Sequence, residues 1–169
     1  MPPTRITGFA DMEELLKSDG VQYMKDEAER AVQIPTETGP FKGNLFIRWE
    51  KTLPYVNAIC PVIFDIPADR MAAMETACLR INHAIALPGF CVDPERRFVY
   101  FRVTVPIEPG GMEASFYRLM MMAAIHNARD FLAALQGVVA GSSPEEALAA
   151  AVQQASAKHA ATAATGFED

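Results

Sequence analysis

No feature constrains this chain more than the way its hydrophobic period switches. In "NLFIRWEK", Leu45, Ile47 and Trp49 share one face, with Asn44, Phe46, Arg48 and Glu50 on the other. In "YVNAICPVIFDI", Val56, Ala58, Cys60, Val62, Phe64 and Ile66 form an apolar face. A period of two over such lengths predicts half-buried strands. Thr52–Pro54 then joins them as a hairpin. Pro61 cannot donate to a ladder, so it belongs at an edge, at a bulge, or where its missing N–H points outward.

Beyond Pro67 the period changes to three and four. Met71, Met74, Cys78, Ile81 and Ile85 recur on one side, with Ala77 and Ala84 beside them, which predicts an amphipathic helix. "LPG" ends it. "GFCV" and "RFVYFRVTVPI" read as a second hairpin across "DPER", with Val99, Phe101, Val103, Val105 and Ile107 on one face. Asp93-Pro94 suits the first two positions of a turn. "EPGG" breaks the chain before a long helix, "MEASFYRLMMMAAIHNARDFLAALQGVV".

The N-terminal "FADMEELLKSDG" predicts a helix with Met12, Leu15 and Leu16 on one face and Gly20 as its stop. The next stretch, "VQYMKDEAERAVQIP", reads either as more helix or as a strand beginning near Arg30; a short strand at Arg30–Pro35 is favoured. "TETGPFKG" is turn chemistry. After Gly141, Ser143 and Glu146 fit a capping box with Pro144 at the first helical position. Leu148, Val152 and Ala155 make a narrow stripe on that alanine-rich helix, which is expected to fray beyond about Thr162.

The expected class is α+β: a two-layer fold with an antiparallel sheet of about five strands and helices on one face, in the order α-β-β-β-α-β-β-α. Residues 1–140 form the expected domain, and residues 141–169 an appended alanine-rich helix and tail. At 169 residues the chain can bury about 70% of its unfolded surface without staples.

Charge and motifs narrow the function. The formal net charge is −6, and the basic residues are scattered. Nucleic-acid binders carry a basic footprint, so neither nucleic acid nor an anionic membrane is expected as a partner. The cysteines Cys60, Cys78 and Cys91 are odd in number and widely spaced, which does not read as a disulfide framework. With no apolar leader in "MPPTRITGFADMEELLK" and no long uncharged span, a cytoplasmic location is expected.

His83, His126 and His159 stand far apart and no short ligand pair occurs, so no metal is expected. No phosphate-binding glycine motif or nucleophile elbow is present, and "PGG" at 109–111 is a connection rather than a phosphate cradle. Catalytic residues, a cofactor and a small-molecule substrate are therefore not expected. The one enzymatic alternative is a cysteine-dependent activity using Cys91 with His83 or His126.

Two surfaces are candidates for binding a protein. Phe46, Arg48, Phe98, Tyr100 and Arg102 point away from the apolar sheet face, and aromatic and arginine side chains are enriched at interface hot spots. On the long helix, Leu119–Ala128 carries no charge and apolar residues surround it. Such a helix must be covered twice: by the sheet, and by another helix of the chain or a second subunit. Phe116, Tyr117, Met120 and Met121 are its candidate dimer or partner residues, the methionines because flexible thioethers suit adaptable surfaces.

The stretch "LRINHAIALPGFCVDPERRFVYFRVTVPI" resembles YbjN-type proteins, whose fold is like that of the type III secretion chaperones. The resemblance covers roughly residues 10–140 and rests on Ile81-Asn82, Gly89-Phe90, Asp93, Phe98–Val103 and Phe131–Leu135. It implies a non-enzymatic homodimer that binds other proteins, with a link to bacterial sensory transduction. A dedicated secretion-type chaperone for one client is the alternative within binding proteins. The alanine-rich segment after Gly141 lies outside the shared part.

Overall fold

The computed structural model describes residues 3–153. The chain runs β1 (Arg5–Ile6), α1 (Phe9–Ser18), β2 (Met24–Asp26), β3 (Ala31–Thr38), β4 (Phe41–Trp49), β5 (Tyr55–Ile63), a 3-10 turn (Ala68–Arg70), α2 (Met71–Ala84), β6 (Phe90–Asp93), β7 (Phe98–Pro106), β8 (Met112–Glu113) and α3 (Ala114–Ala140). A last helix, α4, is described over 144–153. The fold is α+β. Six strands form the main sheet in the order β2-β3-β4-β5-β7-β6, and β1 pairs with β8 in a separate two-stranded sheet.

The sheet is longer than the sequence pattern suggests. β3 runs to Thr38, and Thr38 opposes Phe41 across Gly39-Pro40. Gly39, at φ 58, takes the first central position of a two-residue hairpin, where positive φ is needed. The turn chemistry of "TETGPFKG" is thus compressed into two residues, and its flanks join the ladder. β2, β1 and β8 carry no readable period because they are only two or three residues long.

Two prolines mark where ladders stop. Tyr55 O accepts from Glu50 N–H at 3.0 Å, so odd positions of β5 face β4. The β4–β5 register runs from Trp49↔Val56 to Phe46↔Ile59, and its continuation would set Pro61 opposite Asn44. Pairing ends where the next bond would need the N–H that Pro61 lacks. Pro35 does the same in β3. Arg30 O accepts from Trp49 N–H, so odd positions of β3 face β2, whose last pair is Met24↔Gln33. β5 lies antiparallel to β7, because Ile107 N–H donates to Pro54 O while Ile66 N–H donates to Arg97 O.

Contacts divide the described residues into two units, 3–62 with 100–129, and 63–99 with 130–153. In the first, Phe9, Met12, Leu15 and Leu16 of α1 are buried, as are Leu45, Ile47, Trp49, Val56, Ala58 and Cys60 of the sheet. Gly43 is required here: a Cβ would lie 2.8 Å from the buried Phe41 ring. Gly111 is required where β8 meets β1, since at φ 80 its Cβ would lie 2.5 Å from Ile6 O. The "PGG" connection offers carbonyls rather than amides to its neighbour: Arg5 donates to Gly110 O and Gly111 O, both at 2.7 Å.

In the second unit, Met74, Ala77, Cys78 and Ile81 are the buried face of α2. Its end is tied to β6 by Asn82. The Asn82 carbonyl accepts from Gly89 N–H at 3.1 Å and Phe90 N–H at 2.9 Å, and its amide donates to Phe90 O at 2.8 Å. Phe90 packs edge-on against Phe131 with centroids 5.5 Å apart. Arg70 donates to Val138 O and Ser142 O, closing the end of α3. The capping box is present: Ser143 N–H donates to Glu146 at 2.8 Å and Glu146 N–H to Ser143 Oγ at 3.2 Å. The buried residues of α4 are Ala147 and Ala151, while Val152 is exposed. Of the expected stripe, Leu148 is half-buried and Val152 is open; Ala155 and the stretch around Thr162 lie outside the described residues.

The β2–β3 and β6–β7 hairpins share one device. Asp26 accepts from Glu29 N–H and Asp93 accepts from Arg96 N–H, and each loop closes on an arginine at positive φ, Arg30 at 50 and Arg97 at 53. An aspartate that caps its own turn explains the first half of the motif. The left-handed arginines cost about 1–2 kcal/mol each relative to a residue without a Cβ.

Candidate functional site

The outer face of the sheet is built from residues whose partners on the other face are core. Along β4 and β7 burial alternates: Leu45, Ile47 and Trp49, and Val99, Phe101 and Val103, are buried, whereas Phe46, Arg48 and Arg102 are exposed and Phe98 and Tyr100 half-buried. Register places Met24, Gln33, Phe46 and Ile59 side by side across β2, β3, β4 and β5. Met24 and Phe46 are 56% and 38% exposed, and Gln33 and Ile59 are half-buried. The row's aromatic member was legible in the sequence; Met24 and Ile59 required the register.

The neighbouring row is polar and already engaged. Arg48 pairs with Glu29 at 3.0 Å and Glu50 at 3.6 Å. Glu50 also receives Asn57, and Asn57 receives the Thr104 hydroxyl at 2.6 Å. Arg48 is therefore part of a surface network, not an unengaged cation. In the second unit Phe98 stacks on Phe64, centroids 6.1 Å apart, and Phe64 is 64% exposed.

Helix α3 departs from the sequence expectation. Tyr117, Met120 and Met121 are buried within the chain. They are core residues, and only Phe116 of that candidate set stays on the surface. The Tyr117 hydroxyl has no hydrogen-bond partner among the described residues, and burial pushes its pKa up. The open stripe consists of Phe116, Leu119 and Met122, at 47%, 62% and 46% exposure. These recur every three positions, one helical turn apart. Side-chain character alone could not separate the three consecutive methionines; their placement around the helix does. Charges flanking the stripe are neutralised locally, Arg118 by a two-pronged bond to Asp19 at 2.7 and 2.8 Å and Arg5 by Glu113.

The residues of the cysteine alternative have structural surroundings. Cys60 and Cys78 are buried, and burial pushes each thiol up to about 12. Cys91 is half-buried and its thiol sits 3.5 Å from Gly89 O. His83 is exposed in the last turn of α2, and the neighbouring Asn82 makes the bonds to the turn. Asp93 accepts from Glu95 and Arg96 N–H groups. Among the described residues no group of three or more His, Cys, Asp or Glu side chains is placed to hold a metal ion. No described helix is long and apolar enough to cross a membrane.

These features define an α+β chain with an open sheet face and an exposed apolar helix stripe. Comparison with protein-family models and with curated proteins finds no match.

Proposed function

We propose that this chain is a non-catalytic protein-binding module of the YbjN type, a cytoplasmic regulator that works as a homodimer and binds a further protein partner. The observation that carries the reading is the exposed stripe Phe116, Leu119 and Met122 on α3. Contiguous exposed apolar side chains mark interaction sites on water-exposed surfaces. A second copy is the occupant the stripe favours. The chain is acidic overall, so two copies repel unless they meet through a neutral face. This stripe is uncharged, and its flanking Arg118 and Arg5 are each paired with a carboxylate. It is also symmetric about Leu119: a twofold axis there sets Phe116 of one copy against Met122 of the other.

The test is sedimentation velocity over a concentration series on the intact chain and on Leu119→Glu and Met122→Glu. A dimer that dissociates in both variants, with unchanged circular dichroism, supports the reading. A monomer at all concentrations up to about 100 μM, well above the micromolar range of modest interfaces, overturns the dimer. Partner binding is read separately, by native affinity purification with Phe46→Glu as the control for the sheet face.

A further inference from the structure

A cleft of about 480 Å³ opens in the first unit between the β4–β5 connection and the β7–β8 connection. Trp49, nearly buried, lines it together with Leu53, Pro54, Ile107 and Pro109. This volume lies within the roughly 300–1,000 Å³ of small-ligand sites, which combine apolar walls with a few placed polar groups. Four charged side chains also reach it: Arg30, Lys51, Glu50 and Glu108.

Two of these charges are already engaged. Lys51 lies 3.3 Å from Glu29, and Glu50 takes the Asn57 amide at 2.9 Å with Arg48 at 3.6 Å. Glu108 stands on the ridge between this cleft and its neighbour, lining both. Arg30 is different. It is half-buried, and among the described residues its guanidinium has neither a hydrogen bond nor an ion pair. Its left-handed backbone belongs to the hairpin, as Arg97 shows; its place in the cleft beside Trp49 is its own. A guanidinium has five donors and a planar fork that matches a carboxylate, so an unpaired one in a cleft calls for an anion.

We propose that this cleft binds a carboxylate carried on an apolar body, the carboxylate on Arg30 and the body against Trp49, Leu53 and Pro109. The site is independent of the dimer and partner surfaces proposed above. The carboxylate can come from a free organic acid or from the C-terminus of a peptide ending in an apolar residue; both present the same group to Arg30.

Trp49 is the only tryptophan in the chain, so its fluorescence reports on the cleft directly. The full chain is titrated with 3-phenylpropionate and its amide, and with acetyl-Ala-Ala-Phe as free acid and as amide. A saturable change is expected with one or both acids, and the acid that binds identifies the source. Each amide should bind at least about ten-fold more weakly, the scale of a charge-assisted bidentate contact. Arg30→Gly should abolish the response while the melting temperature holds or rises, because glycine accepts φ 50 without strain. Arg30→Gln keeps the side-chain length of the stem and should lose the response as well. Equal responses to acid and amide, binding retained in Arg30→Gly, or no saturable change up to about 10 mM, weaker than the millimolar affinities of the poorest specific ligands, each overturns the proposal.

Discussion

Asn82 is the most informative single residue to change. It stands near the end of α2, half-buried, and makes three hydrogen bonds to the segment that opens β6: two as acceptor from Gly89 and Phe90 N–H, and one as donor to Phe90 O. Asn82→Ala removes all three of these bonds. At about 1 kcal/mol per lost bond, the variant should lose roughly 3 kcal/mol. For a chain of this length that corresponds to a fall in melting temperature of about 6–12 °C. Asn82→Asp separates the two roles. Its carboxylate keeps both acceptor bonds but sets a negative charge against Phe90 O. Protonation restores a donor, so its deficit relative to the parent should shrink as pH falls through the carboxyl range near 4. The assay is urea unfolding followed by circular dichroism, for the parent and both variants at neutral pH and at about pH 4, near that carboxyl range. If Asn82→Ala costs less than about 0.5 kcal/mol, the size of an ordinary surface substitution, the residue is not the tie described here.

Gly43→Ala should destabilise by about 1–3 kcal/mol, since its Cβ would meet the buried Phe41 ring at 2.8 Å; an unchanged unfolding midpoint would refute the close approach. Arg97→Gly should stabilise by about 1 kcal/mol by relieving positive φ, and a loss instead would assign the side chain a role of its own. The Thr7 hydroxyl and N–H both donate to the Asp11 carboxylate and hold its pKa below the usual value. Because the folded pKa is the lower one, the stabilisation is present above the unfolded value near 3.9 and is lost as pH falls through the folded one; Asp11→Asn should flatten the acid limb of the stability profile. Native alkylation with iodoacetamide should modify Cys91 alone, because burial holds Cys60 and Cys78 as thiols, and Cys91→Ala should leave no labelled site; labelling of either buried cysteine under native conditions would contradict the packing.

The period of two from Leu45 to Val62 and from Val99 to Val103, and the period of three and four from Met74 to Ile81, were legible because each depends only on which face of a local element meets the core. The Ser143–Glu146 capping box and the Asp93 turn were legible for the same reason: their partners are within three residues. The candidate surfaces were legible only in part. Phe46 and Arg102 followed from alternation, but the engagement of Arg48 depends on Glu29, which comes from another hairpin. From Leu119 to Ile125 every position of α3 is apolar, so composition cannot say which side of that stretch is covered. The fold buries Tyr117, Met120 and Met121 and leaves Phe116, Leu119 and Met122 open.

By itself, then, the sequence determined the α+β class, the alternating strands, the amphipathic α2 and the local caps, because neighbours along the chain set those. The tertiary structure alone decided the sheet order and the joining of the very short β2. It also decided where Pro35 and Pro61 end their ladders and which stripe of α3 faces outward. Arg30 belongs to this second group: it meets Trp49, Leu53 and Pro109 in one cleft although they are spread over some eighty positions of the chain. Long-range register and packing bring such residues together, and no local period records them.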